Sequence, residues 1–172
     1  SIACMAERVF DTADFADLIR TGTLWWRDGA QPHCGFESFA MATLPHPLDG
    51  TVSHSGAMWI DPDYRKVGLS TYLTHLSRLM CLRNHDISYN TGFVRKYLVD
   101  TPVPRVTYGY PHVQFCYSGY FPPAGGDEEL YVCWISADEM VQQVRELPMH
   151  PRYPVPLPHV VQPELPEAAA VT

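Results

Sequence analysis

The hydrophobic pattern of this chain alternates between strand-like runs and stretches of helical spacing. The run Thr51 to Ile60 (TVSHSGAMWI) is rich in β-branched and aromatic residues and predicts a strand, which Pro62 and Asp63 end. A helix is predicted from Gly68 to about Arg83, because apolar residues follow each other there at i, i+3, i+4 and i+7. The predicted buried stripe of this helix consists of Leu69, Tyr72, Leu73, Leu76, Leu79 and Met80.

Shorter elements surround this strand and helix. Ile2 to Phe10 predicts a strand, and Asp11 to Arg20 predicts a helix capped by Asp11 or Thr12. Phe36 to Leu44 predicts a strand that pairs with the next one across the turn at Leu48-Asp49-Gly50. Later predictions are strands at Ile87 to Val94, His112 to Tyr120 and Glu129 to Ile135, a helical turn at Arg95 to Asp100, and a helix that Ser136 caps with Glu139 in the capping-box position.

Composition narrows the class of protein. The 172 residues, 46% apolar and 18% charged, predict one globular domain, and no apolar run approaches the ~20 residues of a membrane span. A net charge of −7 argues against nucleic acid as the main partner and is compatible with a cationic substrate such as an amine. Five widely spaced cysteines without a CxxC pair predict neither a disulfide framework nor a zinc site, which suits a reducing cytoplasm.

The C-terminal stretch differs in composition from the rest. Seven prolines follow one another closely from Pro148 onward, which predicts an extended tail over 148–172 after a folded domain over 1–147. An ordered tail of this kind would lie on its own domain or on a neighbouring chain. We therefore expect either an intramolecular strap or a homo-oligomer built through the tail.

The turn between the central strand and the long helix is the strongest chemical signal. Arg65 and Lys66 are basic, and Gly68 has no Cβ to keep a ligand from the backbone. The first N–H groups of a helix have no intrahelical partner, and the helix dipole adds positive potential. A turn of this composition fits an anion such as a pyrophosphate, although a glycine at a strand-to-helix junction often marks nothing more than a turn.

These residues resemble a known family. Arg65-Lys66-Val67-Gly68-Leu69-Ser70, preceded by Ile60-Asp61-Pro62, resembles the coenzyme A signature of the GNAT superfamily of N-acyltransferases, Gln/Arg-x-x-Gly-x-Gly/Ala. The chain departs from the signature at Ser70, and it lacks the Tyr-x-x-x-Gly-Phe ending that the family's fourth helix usually has. The resemblance implies an α/β fold with a mixed, mostly antiparallel twisted sheet whose central parallel strands splay apart, flanked by helices.

The resemblance also implies where a co-substrate would bind. Acetyl-CoA or another acyl-CoA would place its pyrophosphate on the backbone N–H groups of Lys66, Val67, Gly68, Leu69 and Ser70, beside Arg65. Its pantetheine arm would pair with the strand edge at Met58, Trp59 and Ile60, and the acyl group would pass to an amine by direct attack.

The candidate catalytic residues follow from the same placement. His54 is the only titratable side chain on the central strand and is the candidate base, since the usual pKa of histidine suits proton transfer near neutrality. Tyr97 is the candidate acid, with Tyr108 and Tyr110 as alternatives, and a backbone N–H near Trp59 would bind the oxyanion. Glu37 and His46 are further candidates for the cleft. The alternatives to an enzyme are a GNAT-like module that binds CoA or a protein without catalysis, and an unrelated α/β domain.

Overall fold

The computed structural model describes residues 2–26, 39–41, 44, 47–121 and 123–146. Six strands form one sheet in the order β1-β3-β4-β6-β5-β2. The strands are β1 (Ala3–Thr12), β2 (Phe39–Met41), β3 (Gly50–Ile60), β4 (Tyr89–Arg95), β5 (His112–Phe121) and β6 (Gly126–Ser136). The helices are α1 (Phe15–Arg20), α2 (Leu69–His85), α3 (Lys96–Val99) and α4 (Ala137–Glu146), and a π-helical turn spans Val103–Thr107.

The sheet is mostly antiparallel, with one parallel pair at its centre. β3 and β4 run parallel because α2 carries the chain from the end of one strand back to the start of the other. Every other pairing in the sheet is antiparallel. The predicted fold class, a mixed and mostly antiparallel sheet with a central parallel pair and flanking helices, is confirmed.

The two faces of the sheet carry separate cores. On one face, Phe15 and Ile19 of α1 pack with Val52, Tyr117 and other fully buried apolar side chains. On the other face, Cys81 of α2 and Met140 of α4 belong to a second apolar cluster with Tyr110, Cys133 and Ile135. We call these the α1 face and the α2 face.

The predicted buried stripe of α2 is wrong. Tyr72, Leu76 and Met80 have exposed fractions of 48%, 58% and 54%, whereas the buried residues of the helix are Thr74, Arg78 and Cys81. The cause lies in the sheet, whose strands β3 and β4 present Ser53, Ser55 and Asn90 to the helix. A polar sheet surface selects the polar stripe of the helix, and apolar spacing alone does not reveal that.

Two further sequence predictions need correction, and a third is confirmed. Asp14, rather than Asp11 or Thr12, caps α1 by accepting the Ala16 N–H at 2.9 Å. β2 pairs with β5 and not with the strand that follows it in the chain. The Ser136 cap with Glu139 in the capping box is confirmed.

Other sequence predictions lie outside the described residues. Glu37, His46 and the tail over 148–172 all fall there. Within the described residues, no helix is both long and apolar enough to cross a membrane.

Candidate functional site

β3 and β4 separate in the middle of the sheet. Their parallel pairing runs only from Val52 opposite Tyr89 to Ser55 opposite Gly92, although β3 continues to Ile60 and β4 to Arg95. No strand among the described residues therefore pairs with the β4-facing edge of β3 from Gly56 onward. We call this gap the β3–β4 opening.

A β-bulge lies at the mouth of this opening. Gly56 pairs with Ala6 of β1 and Trp59 pairs with Cys4, so that Ala57 and Met58 together stand opposite the single residue Met5. Ala57 adopts a φ of +50°, a left-handed conformation that costs a non-glycine residue roughly 1–2 kcal/mol. A bulge of this kind turns the backbone groups of a strand out of the regular ladder and into the adjacent space.

A cavity of about 140 Å³ occupies the opening. Its walls come from the bulge, from the diverging parts of β3 and β4, from the first half of α2 and from the chain after the π-helical turn. The lining residues are Met5, Ser55, Gly56, Ala57, Met58, Thr74, Gly92, Phe93, Tyr108 and Tyr110.

The turn before α2 is the second part of the site. Gly68 caps the helix in the left-handed conformation at φ +83°, and Lys66 has a φ of +67°. Among the described residues, the backbone N–H groups from Val67 to Ser70 have no hydrogen-bond acceptor. The Arg65 side chain turns back to the strand, where its Nε donates to the Ile60 carbonyl at 3.1 Å. The turn thus offers unpaired N–H groups at the positive end of a 17-residue helix.

Beneath the cavity, Asn90 joins the two parallel strands through a buried polar network. Its Nδ2 donates to Ser53, its partner in the ladder, at 2.7 Å and to Ser55, the last paired residue of β3, at 3.0 Å, which ties β4 to β3. Its Oδ1 accepts from the Arg78 Nε at 3.1 Å and from the Tyr110 hydroxyl at 2.9 Å. The network therefore fixes the point beyond which the strands separate.

Glu7 on β1 closes the network from the other side. Its carboxylate accepts hydrogen bonds from Ser55 at 2.5 Å and from Ser77 of α2 at 2.7 Å. Burial raises the pKa of Glu7, while these hydrogen bonds and the nearby Arg78 partly oppose the rise. The Glu7 carboxylate thus contacts the hydroxyl group of Ser55, which itself lines the cavity.

Arg78 and Asn90 are the parts of the site that sequence reasoning missed. Arginine side chains usually lie at the surface, yet the exposed fraction of Arg78 is 1%. The signal in the sequence was the spacing of Thr74, Arg78 and Cys81 at i, i+4 and i+7, which marks one helix face.

Three tyrosines were considered for the acid. Tyr97 lies on α3 with an exposed fraction of 69%, outside the lining of the cavity. Tyr108 and Tyr110 both line the cavity. Tyr110 is 3% exposed, and burial raises the pKa of its hydroxyl to about 12, so the group keeps its proton across the neutral range.

His54 lies on the α1 face, away from the cavity lining. Its ring packs against Phe15 and Phe93 with centroid distances of 5.6 and 5.0 Å, and its Nδ1 is 3.0 Å from the Thr91 Oγ1. Burial, with a smaller contribution from Arg8, lowers the pKa of His54 to about 3. The imidazole is consequently neutral near pH 7 and holds a proton only weakly.

The lowered pKa of His54 predicts acid sensitivity of the fold. The unfolded chain regains a histidine pKa near ~6.5, so stability is complete above that pH and falls as the pH drops toward the folded value. We expect the loss to reach a few kcal/mol by about pH 4, on the scale of ~1.4 kcal/mol per pKa unit. Urea unfolding of the native protein and of His54→Phe at several pH values measures this, with the difference between the two profiles isolating His54. Parallel profiles between pH 7 and 4 would contradict it.

None of the cysteines within the described residues lines the cavity. Cys81, Cys116 and Cys133 are buried, and burial raises the pKa of both Cys116 and Cys133 to about 12. Thiols that keep their protons are poor nucleophiles. Among the described residues, no group of three or more His, Cys, Asp or Glu could hold a metal ion.

Comparisons with known proteins add a distant structural likeness. A scan against protein-family models found no match, and a search of the curated proteins found none either. Among solved structures, the chain is similar to BjaI, a CoA-dependent acyl-homoserine lactone synthase in complex with SAM and isopentyl-CoA, at 11% identity and a TM-score of 0.42. The match covers 83% of this chain and 57% of that one. A likeness at this TM-score is not evidence of function.

Proposed function

We propose that this protein is an acyl-CoA-dependent N-acyltransferase that transfers an acetyl or similar acyl group to an amine. The observation that carries the proposal is the β3–β4 opening, in which the parallel strands part after Ser55 and Gly92 around a cavity. Eight residues, including the turn with unpaired N–H groups, separate the end of β3 from the start of α2. The chain thus presents first a free strand edge, which fits the extended pantetheine arm of acyl-CoA, and then a turn that fits the phosphates of acyl-CoA.

The parts of acyl-CoA match this order. Its pyrophosphate would accept hydrogen bonds from the N–H groups of Val67 to Ser70, with Lys66 adding charge. Its pantetheine amides would pair with the free edge of β3 at Met58, Trp59 and Ile60, as an added strand does. The thioester would then enter the cavity beside the bulge, where a backbone N–H of β3 can stabilise the oxyanion. The resemblance of residues 60–70 to the GNAT coenzyme A signature supports the same arrangement.

The cavity also offers a group to protonate the leaving thiolate. The amine nitrogen attacks the thioester carbon, the C–S bond breaks, and the sulfur takes a proton. We assign this proton to Tyr110, because its hydroxyl lies at the cavity beside Gly92, where the strands part. Rotation about the C–O bond redirects the proton from Asn90 toward the sulfur.

The proton that leaves the amine needs an acceptor. His54, the candidate from the sequence, has too low a pKa to compete for a proton near neutrality. Glu7 is the better base, since its pKa is raised and its carboxylate accepts from Ser55 in the cavity wall. In this relay the Ser55 hydroxyl gives its proton to Glu7 and takes one from the amine.

The release of free thiol tests the proposal. The protein is incubated with acetyl-CoA and, in turn, a diamine, an amino acid amide and a lysine-containing peptide. We expect thiol release that requires both the acyl-CoA and one of the amines, with one amide formed per thiol. CoA binding without turnover on any amine would favour the non-catalytic module, and absence of both would reject the assignment.

A further inference from the structure

Arg78 is a buried cation that the proposed reaction does not use directly. Its exposed fraction is 1%, and it is the largest fully buried side chain among the described residues. Burying a guanidinium costs several kcal/mol before its hydrogen bonds offset the loss of water, and an apolar side chain at such a site is often more stable. The Nη1 of Arg78 has no hydrogen-bond partner among the described residues, so even that offset is incomplete. Fold stability alone therefore does not account for Arg78.

The contacts of Arg78 converge on Tyr110. The guanidinium carbon lies 4.5 Å from the centre of the Tyr110 ring, in a cation–π arrangement. Nε donates to the same Asn90 oxygen that accepts from the Tyr110 hydroxyl. Nη2 donates at 2.8 Å to the carbonyl of Tyr108, two residues before Tyr110. Arg78 thus contacts the Tyr110 ring, the Asn90 side chain that accepts from the Tyr110 hydroxyl, and the backbone just before Tyr110.

The Tyr110 hydroxyl has little freedom on its other side. A Cβ built on Gly92 would lie 2.9 Å from the hydroxyl oxygen, so the oxygen closely approaches the backbone of β4. Ring and hydroxyl are therefore fixed from both directions, at the point where β3 and β4 part. A displacement of about 1 Å in a reacting group can cost roughly 100-fold in rate, which makes such fixation useful for proton transfer.

We propose that Arg78 is a positioning residue that holds the Tyr110 ring and thereby keeps the Tyr110 hydroxyl at the cavity in the β3–β4 opening. The proposal rests on the proposed function, in which Tyr110 protonates the leaving thiolate. It differs from a purely structural role because it makes the effect of Arg78 on catalysis depend on Tyr110. Because Arg78 also lowers the pKa of Glu7, kcat is compared at a pH where Glu7 is ionised in every variant.

A double-mutant cycle tests this dependence. The variants are Arg78→Met, Tyr110→Phe and both together, with Arg83→Met as the control because Arg83 is exposed on the same helix. We expect Arg78→Met to lower kcat by about 10- to 100-fold while the Kd for free CoA stays within about threefold of the native value. In the Tyr110→Phe background, Arg78→Met then has no further effect on kcat. The proposal would be overturned if the two substitutions lowered kcat independently, so that their separate effects multiply in the double variant. It would also be overturned if Arg78→Met left kcat unchanged.

A readout without substrate separates this proposal from the proposed function. Tyrosine ring signals are observed by NMR in selectively labelled protein, and the signal absent from Tyr110→Phe identifies Tyr110. We expect Arg78→Met to shift this signal and to speed the flipping of the ring, with Arg83→Met leaving both as in the native protein. Should Arg78→Met fail to fold, Arg78→Lys keeps the charge, loses the planar fork and is expected to show the same change. An unaltered Tyr110 signal would overturn the positioning role whether or not the protein transfers acyl groups.

Discussion

Gly68→Glu is expected to weaken the binding of free CoA by at least about 100-fold, or ~2.7 kcal/mol. Two effects act in the same direction. Gly68 has a φ of +83°, which an L side chain adopts only with strain, so the turn would shift. The new carboxylate would also stand beside the proposed pyrophosphate, and two like charges a few ångströms apart at the protein surface repel by about 4 kcal/mol. Calorimetric titration with CoA measures the change.

Gly125→Glu is the matched control for this substitution. Gly125 has a similar φ of +67°, lies in the turn between β5 and β6, and has open space around its Cβ position. The control therefore introduces the same charge and comparable backbone strain in a different turn. Equal loss of CoA affinity in both variants would assign the effect to net charge or to folding and would contradict a pyrophosphate site at Gly68.

Tyr110→Phe is expected to lower kcat by about 100-fold or more, within the range that general acid–base groups contribute. The substitution removes only the hydroxyl, so the ring remains for the Arg78 guanidinium and the cavity keeps its shape. Asn90 loses one of its hydrogen-bond donors, at a cost of about 1 kcal/mol in stability. Steady-state rates of thiol release measure kcat, and thermal unfolding confirms that the variant is folded at the assay temperature.

Tyr97→Phe decides between the two candidate acids. The sequence favours Tyr97 and the lining of the cavity favours Tyr110. Substitution of the true acid is expected to lower kcat, whereas substitution of the other tyrosine is expected to leave kcat at the native value. We expect Tyr97→Phe to keep native kcat, since its side chain is mostly exposed. A large loss of kcat in Tyr97→Phe with native rates in Tyr110→Phe would reverse the assignment.

The sequence predicted the elements best where local signals agree. Strand β3, helix α2 and the capping box of α4 each combine periodic apolar residues with a stop or cap signal, and all three lie close to the predicted positions. The motif at residues 65–70 could be placed between strand and helix for the same reason. The proposed anion binding by this motif depends on backbone N–H groups, whose positions follow from the end of β3 and the start of α2.

The interior of the site could not be predicted, because its parts are distant in the chain. Asn90 contacts Glu7 across 83 residues, and Arg78 contacts Tyr108 across 30. A sequence pattern assigns such polar residues to the surface, since burial is stable only when partners meet them in space. The wrong prediction of the buried stripe of α2 follows from this limit.

Hydrogen–deuterium exchange with and without free CoA tests most directly whether the β3–β4 opening and the α2 turn bind CoA. The unpaired N–H groups from Val67 to Ser70, and those N–H groups of Met58 to Ile60 that point away from β1 into the opening, are expected to exchange fast alone and slowly with CoA. The turn around Gly125 is expected to exchange at the same rate in both conditions. Protection in both predicted segments would support the site, whereas protection elsewhere, or none at saturating CoA, would contradict it.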